Sequence, residues 1–132
     1  NYSVMYPFNW ELIQSLGPET CNGTILRPQD VSDIYWIEIC SFIEEHEVQT
    51  YLLKDNDTII QPAENVVIEI NTRKFNAKKQ FIQPKYQLPI WGLYFSIGTK
   101  TYGVFVMTRN EEVFISHKEI YDQILSTFQF IN

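Results

Sequence analysis

The stretch YWIEICSF at residues 35–42 constrains the fold of this chain more than any other. Its aromatic and β-branched residues predict a β-strand, and successive side chains of a strand point to opposite faces of the sheet. Both faces of this strand are largely apolar, with Tyr35, Ile37 and Ile39 on one and Trp36, Cys40 and Phe42 on the other. A strand in a sheet that is open to water on one side would alternate apolar and polar residues, so we expect this sheet to be covered on both faces.

Composition places the chain among folded, single-domain proteins. Its 132 residues suffice for one domain, which we assign to 1–132, and 45% of them are hydrophobic against 20% charged. The net charge of −6 argues against nucleic acid as a partner and against an electrostatic membrane anchor, because both need clustered Lys and Arg. The longest apolar runs are far shorter than the roughly 20 residues of a membrane-spanning helix, so no transmembrane segment is expected.

Further strands are predicted where aromatic and β-branched residues alternate between turn signals. Pro7 and a turn at Phe8-Asn9 separate the first two strands, which would form a hairpin, and Asn22-Gly23 is a second turn signal. The predicted strands cover residues 2–6, 10–16, 24–26, 66–70 and 73–82.

The clearest hairpin joins residues 91–97 to 102–108 through a turn that we place at 98–101. Counting outward from a four-residue turn gives one face an unbroken set of aromatic and branched cross-strand pairs. The predicted pairs are Ile97 with Tyr102, Phe95 with Val104 and Leu93 with Val106.

A short helix is predicted at 44–54, between the first strands and the later ones. Acidic residues at its start, apolar residues at positions i, i+3 and i+4, and a lysine at its end fit a helix and its dipole. Runs of strands with separate helices indicate an α+β fold on an antiparallel sheet.

The C-terminal helix is predicted at 117–128. Ser116 and Glu119 match a capping box, and Ile115 with Ile120 would supply the hydrophobic staple. Its buried stripe would comprise Ile120, Ile124 and Phe128, joined by Tyr121 and Leu125.

Both ends of the chain resemble the PsbP/Mog/DcrB-like superfamily, which includes bacterial envelope lipoproteins. At the N-terminus an aromatic strand ends in Tyr6-Pro7 and Trp10 follows, and the C-terminal run IYDQILSTFQF at 120–130 looks like the final helix and tail of such domains. The resemblance implies an antiparallel sheet of about six strands sandwiched by helices. This chain departs from it at Asn71-Thr72, where relatives often carry Asn-Gly.

The resemblance implies little about function, because relatives bind photosystem proteins or small GTPases or have no known role. We expect a non-catalytic binding or accessory domain of an exported or membrane-anchored protein, extracytoplasmic, bacterial and monomeric. Its partner would be another protein or an envelope component. The chain starts at Asn1 rather than at Met, as expected after a cleaved export signal or a trimmed segment.

No residue is assigned to catalysis, to a cofactor or to a metal. His46 lies among glutamates, but adjacent helical residues diverge and cannot share an ion, and His117 lies at a helix start. No nucleophile elbow or phosphate-binding glycine loop is present. The alternative is an enzyme whose active site is assembled from dispersed residues. Among the aromatic residues, we expect Trp36 and Trp91 in the core, and Trp10 and Tyr6 partly exposed.

The two cysteines, Cys21 and Cys40, are either buried free thiols or a disulfide. If residues 24–26 and 35–42 pair about a turn centred near Asp30 or Val31, then Cys21 lies opposite Cys40. In an exported protein these thiols would oxidise, and the closed loop would contribute on the order of 3 kcal/mol.

Overall fold

A computed structural model describes residues 2–7, 9–15, 22–29, 34–42, 47–48, 58–70, 72–84 and 88–130. The strands are β1 (Tyr2–Ser3), β2 (Trp10–Ser15), β3 (Asn22–Pro28), β4 (Ile34–Phe42), β5 (Thr58–Ile60), β6 (Glu64–Ile70), β7 (Arg73–Pro84), β8 (Ile90–Ile97), β9 (Lys100–Thr108) and β10 (Gln129–Phe130). Two helices follow β9, α1 (Glu111–Ser116) and α2 (Lys118–Ser126).

One antiparallel sheet dominates the structure. Seven strands pair in the order β2-β3-β4-β9-β8-β7-β5, and β6 pairs with β7 beside β5. Every pairing is antiparallel, which confirms the predicted sheet type. The sheet has eight strands within the described residues, against about six expected.

The sheet is apolar on both faces, as the sequence of β4 predicts. We call the two clusters of buried side chains the first core and the second core. The first core contains Trp10, Leu26, Ile37, Ile39, Ile70, Ala77, Trp91, Phe95, Tyr102, Val104, Val106, Ile124 and Phe128. The second core contains Cys40, Phe42, Val48, Ile82, Tyr94 and Phe105.

The expected sandwich of the sheet between helices is not clearly formed. Both α1 and α2 place side chains on the first core, through Phe114 and Ile124, and Phe128 joins them from the segment after α2. On the other face, Val48 is fully buried in the second core and has helical backbone together with Glu47. The rest of the helix predicted at 44–54 lies outside the described residues.

The predicted C-terminal helix 117–128 is confirmed as α2, Lys118–Ser126, which ends two residues earlier than predicted, and α1 precedes it across His117. Asn110 caps α1, since its side-chain Oδ1 accepts from the Val113 N–H at 2.9 Å. Ser116, the predicted cap, ends α1, and its hydroxyl donates to the Val113 carbonyl at 2.9 Å. The predicted capping box therefore does not mark the first helix start after β9, because Asn110 provides an earlier one.

The predicted stripe of this helical region is confirmed where it is described. Ile124 is 4% exposed and Phe128 is fully buried. The side chains of Ile120, Tyr121 and Leu125 lie outside the described residues. Ile115 is 63% exposed, so it lacks the burial that the predicted staple with Ile120 requires.

The N-terminal strand does not form the predicted hairpin with the strand that begins at Trp10. Tyr2 and Ser3 pair instead with Phe130 and Gln129 at the other end of the chain. Next to this pairing, the Thr127 hydroxyl accepts from the Met5 N–H at 2.8 Å. The segment crosses the first core, where Tyr6 is half-buried as expected. Trp10 is only 7% exposed, so its predicted partial exposure is wrong.

The predicted turn at Asn22-Gly23 is part of β3. Gly23 lies opposite Cys40 in the sheet. A Cβ atom on Gly23 would lie 1.9 Å from the Ile39 carbonyl oxygen, so the glycine is required by the close approach of β4 rather than by a turn.

The β8–β9 hairpin is confirmed, but its predicted register is wrong by two residues. Ile97 pairs with Lys100, and Phe95 therefore pairs with Tyr102 and Leu93 with Val104. Only Gly98 and Thr99 remain for the turn, and Gly98 has a φ of 60°. Two-residue turns with positive φ match the twist of the flanking strands, which explains why the shorter turn is preferred.

The β6–β7 hairpin also has a two-residue turn, because Ile70 pairs with Arg73. Asn71 lies outside the described residues. Thr72 has a φ of 65°, a left-handed conformation in which a β-branched residue is strained. This is the position at which relatives of the superfamily are expected to carry glycine.

We predict that Thr72→Gly raises the free energy of unfolding by about 1 kcal/mol, since relief of the left-handed strain outweighs the greater freedom of glycine in the unfolded chain. Guanidinium denaturation measures the change. Gly98→Thr is the matched control and should destabilise the protein through backbone strain alone, because Gly98 has a similar φ and a Cβ added to it would meet no atom within 4 Å. A Thr72→Gly protein that is less stable than the wild type would contradict this account of the turn.

Candidate ligand-binding site

An apolar cavity of about 250 Å³ lies between the first face of the sheet and the two C-terminal helices. Its sheet side comes from β4, β6, β7, β8 and β9, and its helix side comes from α1 and α2. The described residues that line it are Ile37, Val66, Ile68, Lys79, Trp91, Gly92, Leu93, Val104, Val106, Phe114, Lys118, Asp122 and Ile124.

One wall of the cavity is formed by β6. Exposure alternates along this strand, and Val66 and Ile68 are half-buried on the cavity side. Val67, between them, points to the other face and is 65% exposed. The period of two along β6 therefore turns its apolar wall residues toward the helices.

A stacked pair of aromatic rings holds α1 over the sheet. The rings of Trp91 and Phe114 are parallel within 3°, with centroids 4.5 Å apart. Phe81 adds a tilted contact to Trp91 at 4.9 Å. Trp91 is 8% exposed, which confirms its predicted place in the core. The indole of Trp91 is therefore both part of the core and part of the cavity lining.

The charged lining residues are exposed to solvent and mark the mouth of the cavity. Lys79 comes from β7, and Lys118 and Asp122 come from α2. The Lys118 Nζ lies 3.3 Å from the Asp122 Oδ2, and both side chains are about 60% exposed. An ion pair so exposed contributes little to stability, and its groups stay accessible to a ligand.

The sequence assigned no residue to catalysis or to a metal, and of the two histidines considered there only His117 is described. His46 lies outside the described residues. His117 is half-buried, and its Nδ1 lies 2.9 Å from the Val113 carbonyl oxygen and 3.0 Å from the Ser116 hydroxyl. Within the described ranges, no group of three or more His, Cys, Asp or Glu side chains could hold a metal ion. Trp36, the other predicted core residue, is half-buried.

Sequence reasoning missed the wall residues Val66 and Ile68 and the covering residue Phe114. Alternating apolar and polar residues along 66–70 predict the strand. No local pattern shows that helices some 50 positions later in the chain leave a cavity between themselves and this strand. Phe114 precedes the predicted helix start, so the sequence pattern places it in no packed element.

Comparison with known proteins identifies the fold. No protein-family model matches the sequence, and no curated protein matches it. The structure is similar to the solution structure of cyanobacterial PsbP (CyanoP) from Synechocystis sp. PCC 6803, with a TM-score of 0.64 and 12% sequence identity, over 98% of this chain and 86% of that one. The fold is PsbP-like.

A crystal structure from Bacteroides thetaiotaomicron VPI-5482 has the same PsbP-like fold at a TM-score of 0.57 and 12% identity. The match covers 99% of this chain and 45% of the longer chain. Identities this low establish the PsbP-like fold and not a shared function. No helix in the described part of this chain is long and apolar enough to cross a bilayer.

Cys40 is fully buried in the second core of the PsbP-like domain, and its sulfur belongs to a disulfide. Its predicted partner Cys21 lies outside the described residues, so the pairing stays a prediction. The residue opposite Cys40 is Gly23, two positions from the one that the sequence predicted. A shift of two residues keeps a side chain on the same face of a sheet.

We predict that the unreduced protein, denatured in guanidinium, shows no thiol that reacts with a disulfide reagent and shows two after reduction. Reduction should also lower the free energy of unfolding by on the order of 3 kcal/mol, because it releases the loop between the cysteines. Two reactive thiols before reduction would rule out the Cys21–Cys40 bridge.

Proposed function

We propose that this chain is a non-catalytic binding domain whose binding site is the cavity between the sheet and the C-terminal helices. It would act outside the cytoplasm, as the accessory domain of an exported or membrane-anchored protein. The cavity carries the proposal, since small-molecule sites are concave, mostly apolar and lined by a few polar groups that orient the ligand.

The distribution of lining residues favours binding over catalysis. The walls are aliphatic and aromatic, and the charged groups Lys79, Lys118 and Asp122 stand at the solvent-exposed mouth. Catalytic acids and bases are usually held inside a cleft, where burial and neighbouring charges tune their pKa. Binding of an apolar ligand would be favourable, because it removes the apolar walls of the cavity from water.

The size of the cavity indicates what it would hold. A dry cavity of about 150 Å³ is large enough for benzene, and this one measures about 250 Å³. It suits a small apolar molecule or the apolar group of one, and not a peptide segment. Of the two partners expected from the sequence, we therefore favour an envelope component over another protein.

Two observations support a location outside the cytoplasm. The sulfur of Cys40 is in a disulfide, and disulfides persist mainly in oxidising compartments. The PsbP-like fold is the fold of the superfamily whose envelope members the two ends of the chain resemble.

We predict saturable binding of 2-naphthamide, a neutral apolar probe, to the wild-type protein, and loss of that binding in Val66→Phe. The added ring would occupy the cavity from the β6 wall. Isothermal titration measures the binding, and thermal melts check that the variant is folded.

Val67→Phe is the matched control, because it makes the same substitution at the next residue, on the opposite, exposed face of β6. It should bind the probe as the wild type does. Unchanged binding by a folded Val66→Phe, or no saturable binding by the wild type, would contradict the proposal.

A further inference from the structure

We infer that the ligand of the cavity is an apolar monoanion, an ionised carboxylic acid on a small ring or a short chain. The inference rests on the proposed function and specifies its ligand. It is carried by the charge at the mouth of the cavity together with the apolar walls behind it.

The mouth has the opposite sign of charge to the whole chain. The protein carries a net charge of −6, yet the described charged residues that line the cavity are two lysines and one aspartate, with a net charge of +1. A site of net +1 is complementary to a monovalent anion. Like-signed groups at a mouth repel a ligand, and opposite-signed ones orient it and select it.

The two lysines come from different walls, so a ligand head group between them could contact both. Lys79 pairs across the sheet with Leu93 of β8, a cavity residue, which places Lys79 on the cavity face. Lys118 is the first residue of α2. Lysine keeps its ammonium group in water while its aliphatic stem lies along apolar surface, so both ammonium groups are accessible at the mouth of the cavity.

The two lysines differ in whether a carboxylate of the protein already forms an ion pair with them. Lys118 is paired with Asp122, whereas Lys79 makes no ion pair with any described residue. Glu64 lies opposite Lys79 in the β6–β7 pair but is not among the residues that line the cavity. An anion in the cavity therefore competes with Asp122 for Lys118, whereas the carboxylate that neighbours Lys79 lies outside the cavity lining.

A series of three probes with one ring system tests the inference. At low salt the wild type should bind 2-naphthoate about threefold or more tightly than 2-naphthamide, as expected for exposed charges. It should bind 2-naphthylmethylammonium more weakly than either. The preference for the carboxylate should shrink as NaCl is added, because exposed charges are screened.

Charge-neutral variants assign the preference to residues. Lys79→Gln and Lys118→Gln should each weaken naphthoate binding by about two- to fivefold and weaken naphthamide binding by a smaller factor, so that the preference for the carboxylate shrinks. Asp122→Asn should strengthen naphthoate binding, since it frees Lys118. Lys74→Gln is the control, because Lys74 lies on β7 with the opposite parity to Lys79 and does not line the cavity; it should change neither probe.

The outcomes separate this inference from the proposed function. Equal binding of all three probes, or tightest binding of the ammonium probe, would overturn the inference that the ligand is a carboxylate. The proposal that the cavity is the binding site would still stand. A preference for the carboxylate that survives in the double variant Lys79→Gln, Lys118→Gln would also overturn the inference. Binding of no probe would overturn the proposed function, and the inference with it.

Discussion

The centre of the sheet must be shielded from water on both sides, and the rest of the structure depends on this constraint. Strand β9 has six consecutive buried residues, 101–106, and its neighbours β4 and β8 are buried on both faces as well. Side chains of β9 alternate between the first core and the second core, where Phe105 is fully buried. The Phe105 ring fills the space that two glycines leave open, since a Cβ on Gly103 would lie 2.6 Å from that ring and one on Gly92 would lie 3.1 Å from it. The close packing around Phe105 in the second core and the open cavity on the first face are thus properties of the same central strands.

The sequence predicted the elements whose cause is local and missed those whose cause is distant. Apolar residues on both sides of 35–42 correctly indicated a sheet with buried apolar side chains on both faces, and Gly98 correctly marked a turn. The predicted register of β8 with β9 was wrong because the twist of the strands favours a two-residue turn. A pattern of apolar residues carries no information about that twist. The pairing of Tyr2 with Phe130 joins the two ends of the chain, and no window of sequence contains both. Helix α1 was missed because only the later cap signal, at Ser116, was recognised, whereas Asn110 caps an earlier helix.

The candidate site could not be found from sequence for a related physical reason. Its wall residues are ordinary aliphatic and aromatic side chains, such as Val66 and Trp91, which the same pattern would place in any core. A cavity arises where side chains of separate elements fail to meet, and here β6 and α2 approach each other across a gap. The charge at the mouth is also a property of the fold. The chain as a whole is acidic, and only the fold brings Lys79 of β7 and Lys118 of α2 to the same cavity.

The central claim is that a ligand binds on the first face of the sheet and not in the second core. Methyl and indole NMR chemical shifts, recorded during titration with an apolar probe, test it most directly. The account predicts that the shifts that move belong to Val104, Ile124 and the Trp91 indole, which line the cavity, while those of Val48 and Ile82 in the second core stay fixed. Movement concentrated at Val48 and Ile82, with Trp91 unchanged, would contradict the account.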